Sequence, residues 1–221
     1  MSHPVVTLLT PSLRGRERML GRTIRSVKAQ TVPARHLWRV DRHRLGPAPI
    51  RNQLLEQVRT EFAGFVDDDD VVYRQHVEVC LQALRESDAC VVYPWFKFAH
   101  PYKRWPRGEF LTQRRPDGSR VHAWRQPFDA AALAHNSFIP VTVIARTDCL
   151  RKVGGFPTPG TPEWPHESTE EWGLWQRLVA DGHTFVHVPT ITWEYRVHGG
   201  NTSGSRTAEG VRRGRVRSGS R

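Results

Sequence analysis

Hydrophobic periodicity along the chain changes in a regular order. "PVVTLLTPS", residues 4–12, is a short β-branched run that stops at Thr, Pro and Ser, the pattern of a buried strand reaching the edge of a sheet. In "RERMLGRTIRSVKAQ" the apolar residues Met19, Leu20, Ile24 and Val27 recur near the helical period with basic residues between them, which predicts a helix. "HLWRVD" (36–41) predicts a second strand ending on an aspartate, "PIRNQLLEQVRTEF" (49–62) a second helix, and "AGFVDD" (63–68) a third strand running into an acidic cluster. Strand, helix, strand, helix, strand is the beginning of a parallel α/β sheet. In such sheets ligands sit at the carboxyl ends of the strands, where this reading places Thr10 to Ser12, Asp41 and Asp67 to Asp70.

Further along, residues 73–84 read as a helix and "ACVVYPWFKF" (89–98) as a strand. Residues 99–134, rich in Pro, Arg, Trp and Gly with little periodicity, read as a long loop region carrying specificity. "FIPVTVIART" (138–147) predicts a strand, "DCLRKVGGF" a short helix closed by glycines, "ESTEEWGLWQRLVADG" (167–182) a helix with an acidic start and a Gly stop, and "HTFVHVPTITWEYRVH" a final strand. The closing residues are Ser, Gly and Arg with almost no apolar content, so one domain over 1–203 and a disordered tail over 204–221 are expected.

Composition narrows the class. At 221 residues, 38% hydrophobic and with eight Trp, the chain suits one sizeable globular core. No stretch approaches the roughly 18 to 20 apolar residues of a membrane span, and the apolar run near the start is too short for a signal peptide. A cytoplasmic protein, peripheral to a membrane at most, is expected. Cys80, Cys90 and Cys149 are scattered among apolar residues and read as small core side chains in a reducing compartment, so a zinc site is not expected. The formal charge of +11 is uneven: residues 206–221 carry six Arg and one Glu, which leaves the body only moderately basic. The basic tail offers a contact to an anionic surface.

The candidate chemistry centres on "FAGFVDDDDVVY", residues 62–73. Adjacent carboxylates repel, and a hard divalent cation between them removes the repulsion, with oxygen ligands from the protein and from substrate phosphates. With strand alternation Asp67 and Asp69 share a side and Asp68 points away. An acidic surface turn or helix N-cap is the alternative, although the buried strand that feeds the cluster favours the cation. Likewise Glu170 and Glu171 suit a helix N-terminus as well as a proton-accepting role.

"EFAGFVDDDDVVY" resembles the Asp-x-Asp strand end of family 2 glycosyltransferases with the GT-A fold, and "GPAPIRNQLLEQV" (46–58) resembles the segment that precedes it in that family. "VTLLTPSLRGRERMLGRTIRSVKAQT" is similar to the family's first strand and helix; "GGFP", "ESTEEWGLWQRLVADG" and "YRVHGGNTS" are similar to its acceptor-side helix and closing strand. The resemblance spans most of residues 4–203, with the motifs in the family's order. It implies a GT-A fold, with a Rossmann-like, mostly parallel central sheet flanked by helices, and an inverting, metal-dependent transfer of a sugar from a nucleotide-diphosphate sugar to an acceptor hydroxyl.

Position by position, the resemblance assigns Thr10 and Pro11 to the edge that meets the donor nucleotide and Asp41 to its base. Arg51 is assigned near the nucleotide or diphosphate, Asp67 to the donor ribose or the metal, and Asp69 as principal ligand of Mn²⁺ or Mg²⁺. Glu171 stands at the catalytic base, where the family usually has Asp, and Arg196 and His198 lie near the diphosphate and metal. The connection after Asp41 is shorter than the family's. The acceptor is left open among a glycan, a lipid-linked sugar, a protein or a nucleic acid. Two other readings stand: a nucleic-acid-binding protein using the basic tail and the loop from Tyr102 to Arg125, and a non-catalytic GT-A domain.

Overall fold

A computed structural model of the chain describes residues 3–99, 112–114, 120–122, 126–161 and 170–196. Seven strands form one sheet in the order β2-β1-β3-β8-β5-β9-β4. They are β1 (Val6–Leu13), β2 (Arg35–Asp41), β3 (Phe62–Phe65), β4 (Val71–Val72), β5 (Val91–Ala99), β8 (Ile144–Arg146) and β9 (Phe185–Arg196). β1 pairs in parallel with β2 and β3, and β5 with β9; β8 runs antiparallel to both β3 and β5, and β4 antiparallel to β9. Five strands therefore share one direction, as expected for a mostly parallel sheet. Two short strands, β6 (Thr112–Arg114) and β7 (Arg120–His122), form a separate antiparallel hairpin within the segment read as loop.

Alternation along the strands divides the core into two layers. Val6 and Leu8 of β1, Phe62 of β3 and Val92 and Phe96 of β5 meet α1 (Glu17–Lys28) and α3 (His76–Arg85) through Val27, Val77, Leu81 and Leu84. Leu9, Ala63, Phe65, Val91 and Tyr93 face the other side. There they pack with Leu54 of α2 (Pro47–Leu55), Leu133 of α4 (Ala130–His135), Leu150 of α5 (Thr147–Lys152) and Leu174, Trp175 and Leu178 of α6 (Glu170–Ala180). β3 is wedged between β1 and β8, and a Cβ on Gly64 would lie 2.6 Å from Leu8 Cδ2 and 2.9 Å from the Val143 carbonyl oxygen, so no larger residue fits.

Three elements are shorter than periodicity predicts, each for a local reason. α2 stops at Leu55 because the amides of Gln57 and Val58 bond back three residues, to Leu54 and Leu55, and Arg151 Nη2 then donates to the Val58 carbonyl at 2.6 Å. α3 begins at His76 rather than Tyr73, because the Tyr73 amide donates to the Thr192 carbonyl of β9. Within the stretch 138–147 only Ile144–Arg146 is strand: Pro140 has no N–H to give a ladder, and a bond from the Val143 amide to the Val141 carbonyl closes a tight turn. No helix among the described residues is long and apolar enough to cross a membrane. The expected tail over 204–221 lies outside the described residues.

Candidate active site

β3 ends at Phe65, so the four aspartates that follow are not strand but a turn, closed by the Asp70 amide donating to the Asp67 carbonyl at 3.1 Å. α1 fixes that turn from beneath: Thr23 Oγ1 lies 2.7 Å from the Asp70 carbonyl oxygen and 3.0 Å from that of Asp68. The turn sorts the four carboxylates. Asp68 is turned inward, accepting from Ser12 Oγ at 2.6 Å and from Arg16 Nη1 at 2.8 Å. Asp67, Asp69 and Asp70 bring carboxylate oxygens within 4.8 Å of one another. Asp68 lies apart from Asp67 and Asp69 because of this turn and not through strand alternation, and the turn brings Asp70 to the cluster.

Asp70 is buried at 2% exposure, with its Oδ1 accepting from the Arg196 amide at 3.0 Å. Burial, then the charges of Asp69 and Asp67, push its carboxyl well above the usual carboxylate range, and the single N–H bond does not reverse this. Asp69 has Arg16 Nη1 at 3.5 Å, a long contact. Three carboxylates converging as a hard oxygen donor set, with Arg51 beside Asp67 and Arg16 beside Asp69, fit a divalent cation such as Mn²⁺ or Mg²⁺.

Arg51 links this cluster to the other acidic segment. It lies on α2, 2% exposed, and its Nη2 donates to Asp67 Oδ1 at 2.5 Å while its Nη1 donates to Glu170 Oε1 at 2.6 Å. Burial alone would weaken the base, but Asp67, Glu170 and Glu171 hold the guanidinium charged. The adjacent Asn52 fixes this arrangement from the other side: its Nδ2 donates to the Phe156 carbonyl and its Oδ1 accepts from the Phe156 amide, both at 2.9 Å. That sets the Phe156 ring 5.3 Å from the Arg51 guanidinium. Gly155, at φ +70°, is required there, since a Cβ would fall 2.5 Å from Asn52 Oδ1. Glu171 follows Glu170 in the first turn of α6, half-buried.

Other assigned residues have different partners. Thr10 is fully buried, with its hydroxyl 2.9 Å from His36 Nε2, and Pro11 is buried beside it in β1. Asp41 stands at the end of β2 as expected, but its carboxylate accepts from the backbone amides of His43 at 3.1 Å and Gly46 at 2.9 Å. Burial raises that carboxyl and the amides of residues 43–46 more than offset it, leaving it below its ordinary value. The short connection after β2 is thus a loop wound around Asp41, with Arg44 at φ 55° and Gly46 at φ 95°. Arg196 contributes its amide to Asp70, and its guanidinium lies 3.3 Å from Glu194. His198 lies outside the described residues.

Sequence reasoning missed Arg16 and Thr23, which hold the turn, and underrated Asp70 and Glu170. A polar Thr at a core-facing position of the α1 pattern was the one signal available; Arg16 had none, being one of many arginines in that stretch.

Residues 38–146 match the family model described as Glycosyl transferase family 2. Among solved structures, S. aureus TarS 1-349 in complex with UDP-GlcNAc aligns over 92% of this chain and 61% of its own, at TM-score 0.63 and 15% identity. The mannosyltransferase PcManGT from Pyrobaculum calidifontis, in complex with GDP-Man and Mn²⁺, aligns over 91% of this chain and 59% of its own, at TM-score 0.62 and 14% identity. The chain thus spans about three fifths of the length of these structures. No curated protein matches by sequence. The family match runs through the Arg51–Asn52 helix and the aspartate turn, so residues 38–146 are similar to glycosyl transferase family 2, and the fold is the GT-A fold of these structures.

Proposed function

We propose that the protein is an inverting, metal-dependent glycosyltransferase that moves a sugar from a nucleotide-diphosphate sugar to an acceptor hydroxyl. The observation that carries this is the Arg51 bridge, which brings Asp67 at the sheet edge and the Glu170–Glu171 turn of α6 to one cation although they are about a hundred residues apart in sequence. One reaction needs both groups on opposite sides of the anomeric carbon. The fold is shared with a structure holding UDP-GlcNAc and one holding GDP-Man and Mn²⁺, which supports a sugar nucleotide as donor.

In this reading Asp69 and Asp67, joined by Asp70, hold the cation. A bound Mn²⁺ or Mg²⁺ supplies positive charge for the departing diphosphate. Arg196 adds charge on the same side, the family resemblance assigns His198 to the diphosphate and metal, and Arg51 holds Asp67 in place through their ion pair. Glu171 accepts the proton of the acceptor hydroxyl as its oxygen attacks the anomeric carbon and the bond to the diphosphate oxygen breaks. A single displacement inverts the configuration. Thr10 and Pro11 shape the nucleotide edge as backbone, and Asp41 acts by fixing the loop over residues 42–45 rather than through a free carboxylate.

A thermal-shift panel of UDP-, GDP-, dTDP- and CDP-sugars with and without Mn²⁺ tests the donor side, because a ligand that binds the native state raises its melting temperature. One nucleotide is expected to shift the transition only with metal present, and no shift with any of them overturns the reading. For Glu171→Gln, donor binding is expected to persist while turnover falls on the order of a hundredfold, the scale of a lost general base. Unchanged turnover removes Glu171 from the role.

A further inference from the structure

The end of the sheet opposite the aspartate turn gathers a second set of metal-ligating side chains that sugar transfer does not use. Cys90 precedes β5, Cys149 lies on α5 and His183 stands in the turn between α6 and β9; one ligand atom from each lies within 4.8 Å of the others. The backbone anchors all three segments: the Cys90 amide donates to the Thr184 carbonyl, the Arg146 amide to the Cys90 carbonyl, and the His183 amide to the Leu178 carbonyl, each at 2.9 Å. Cys90 is 1% exposed, whereas Cys149 and His183 are half-buried and give a path in from solvent.

Two sulfurs and one imidazole are a soft donor set, unlike the three carboxylates at the other end. Tetrahedral zinc, with bonds of about 2.3 Å to sulfur and about 2.0 Å to nitrogen, wants its ligand atoms roughly 3.5 to 3.8 Å apart, so the set closes on an ion with side-chain shifts of about 1 Å. Asp181 Oδ2 lies 2.9 Å from His183 Nε2 and is itself held by Lys152 Nζ at 2.7 Å. A carboxylate beside a metal-ligating imidazole supports it electrostatically. We propose that Cys90, Cys149 and His183 form a thiolate-imidazole site for a soft divalent ion of the zinc class, with Asp181 beside the imidazole and the fourth position open to water. Such an ion would staple the starts of β5 and β9 to α5, a structural role. Cysteine spacing gave no sign of it because the ligands come from three distant segments.

Cobalt(II) titration of the reduced, metal-stripped full chain tests this, since Co²⁺ reports thiolate ligation through a charge-transfer band. One equivalent is expected to produce the band and Zn²⁺ to displace it. Cys149→Ser and His183→Ala, both at half-exposed positions, are expected to weaken binding tenfold or more, on the scale of losing a ligand or its support. Asp69→Ala, at the far end of the sheet, is expected to leave the band unchanged. Three results overturn the proposal: no thiolate band in the reduced wild-type chain, a band unaltered in both variants while circular dichroism shows them folded, or thiol counting that finds Cys90 and Cys149 joined as a disulfide that Zn²⁺ does not prevent.

Discussion

Two buried aspartates, one ending β2 and one following β3, the strands on either side of β1, have opposite surroundings. Asp41, at the end of β2, is 6% exposed and its carboxylate is answered by backbone amides of the loop it closes, which hold its pKa below the ordinary value. Asp70, after β3, is 2% exposed and faces Asp69 and Asp67 with one amide for company, and its pKa is pushed well up. The first is satisfied by the fold itself. The second is buried among other carboxylates, which disfavours its ionised form, and sequence position alone does not separate the two surroundings.

The largest test removes the principal ligand. Asp69→Ala is expected to abolish the Mn²⁺-dependent shift and to lower sugar transfer on the order of a hundredfold or more, the scale of a lost electrostatic anchor, while circular dichroism shows an intact fold. Full activity in that variant, or in excess chelator, breaks the assignment of the turn as a metal site.

Next is the cation that compensates one side of the cluster. Arg51→Met leaves Asp67 and Glu170 without their shared partner, and an unfolding loss of about 2 to 3 kcal/mol is expected, below the range for fully buried pairs because Asp67 keeps 33% of its side chain exposed. A denaturant midpoint equal to wild type would show that the bridge is incidental.

At Asp41 the effect should fall on stability rather than on metal. Asp41→Ala frees the amides of His43 and Gly46, with an expected cost of about 1 to 2 kcal/mol and unchanged Mn²⁺ affinity. If metal affinity falls as far as in Asp69→Ala, the contrast between the two strand ends is wrong.

The smallest effect has the opposite sign. Because burial raises the Asp70 pKa in the folded chain, its contribution to metal-free stability is present below the unfolded value near 4 and is lost as pH rises through the folded value. Asp70→Asn, whose side-chain oxygen can still accept from the Arg196 amide, removes that loss. At pH 7 in chelator we expect a gain of about 1 kcal/mol, or roughly 2 to 4 °C in melting temperature, accompanied by loss of the metal response. A metal-free variant less stable than wild type would mean that the aspartate turn carries no stored repulsion.

Much of this was legible in the chain. Alternation in "VTLLT" and "FAGF" and the helical spacing of Leu20 and Val27 specify local geometry and a buried face, so the parallel β1-β2-β3 start and the position of the aspartates at a strand end could be read directly. The family resemblance then assigned donor-side roles to Asp67 and Asp69 and an acceptor-side role to Glu171. It did not reveal that the aspartates form a turn, since four like residues carry no periodicity, nor that the loop after β2 turns inward on Asp41.

The sequence by itself determined which residues are apolar, which segments are strands and helices, and that carboxylates follow β3, because periodicity and turn chemistry are local properties. Only the tertiary structure decided which carboxylates are answered. Arg16 and Arg51 look alike among the chain's many arginines, yet one holds Asp68 away from the cluster while the other joins Asp67 to Glu170. Cys90, Cys149 and His183 meet only because α5 and the turn before β9 pack against the start of β5. Charge compensation depends on distance in space and on burial, and neither is written in the order of the residues.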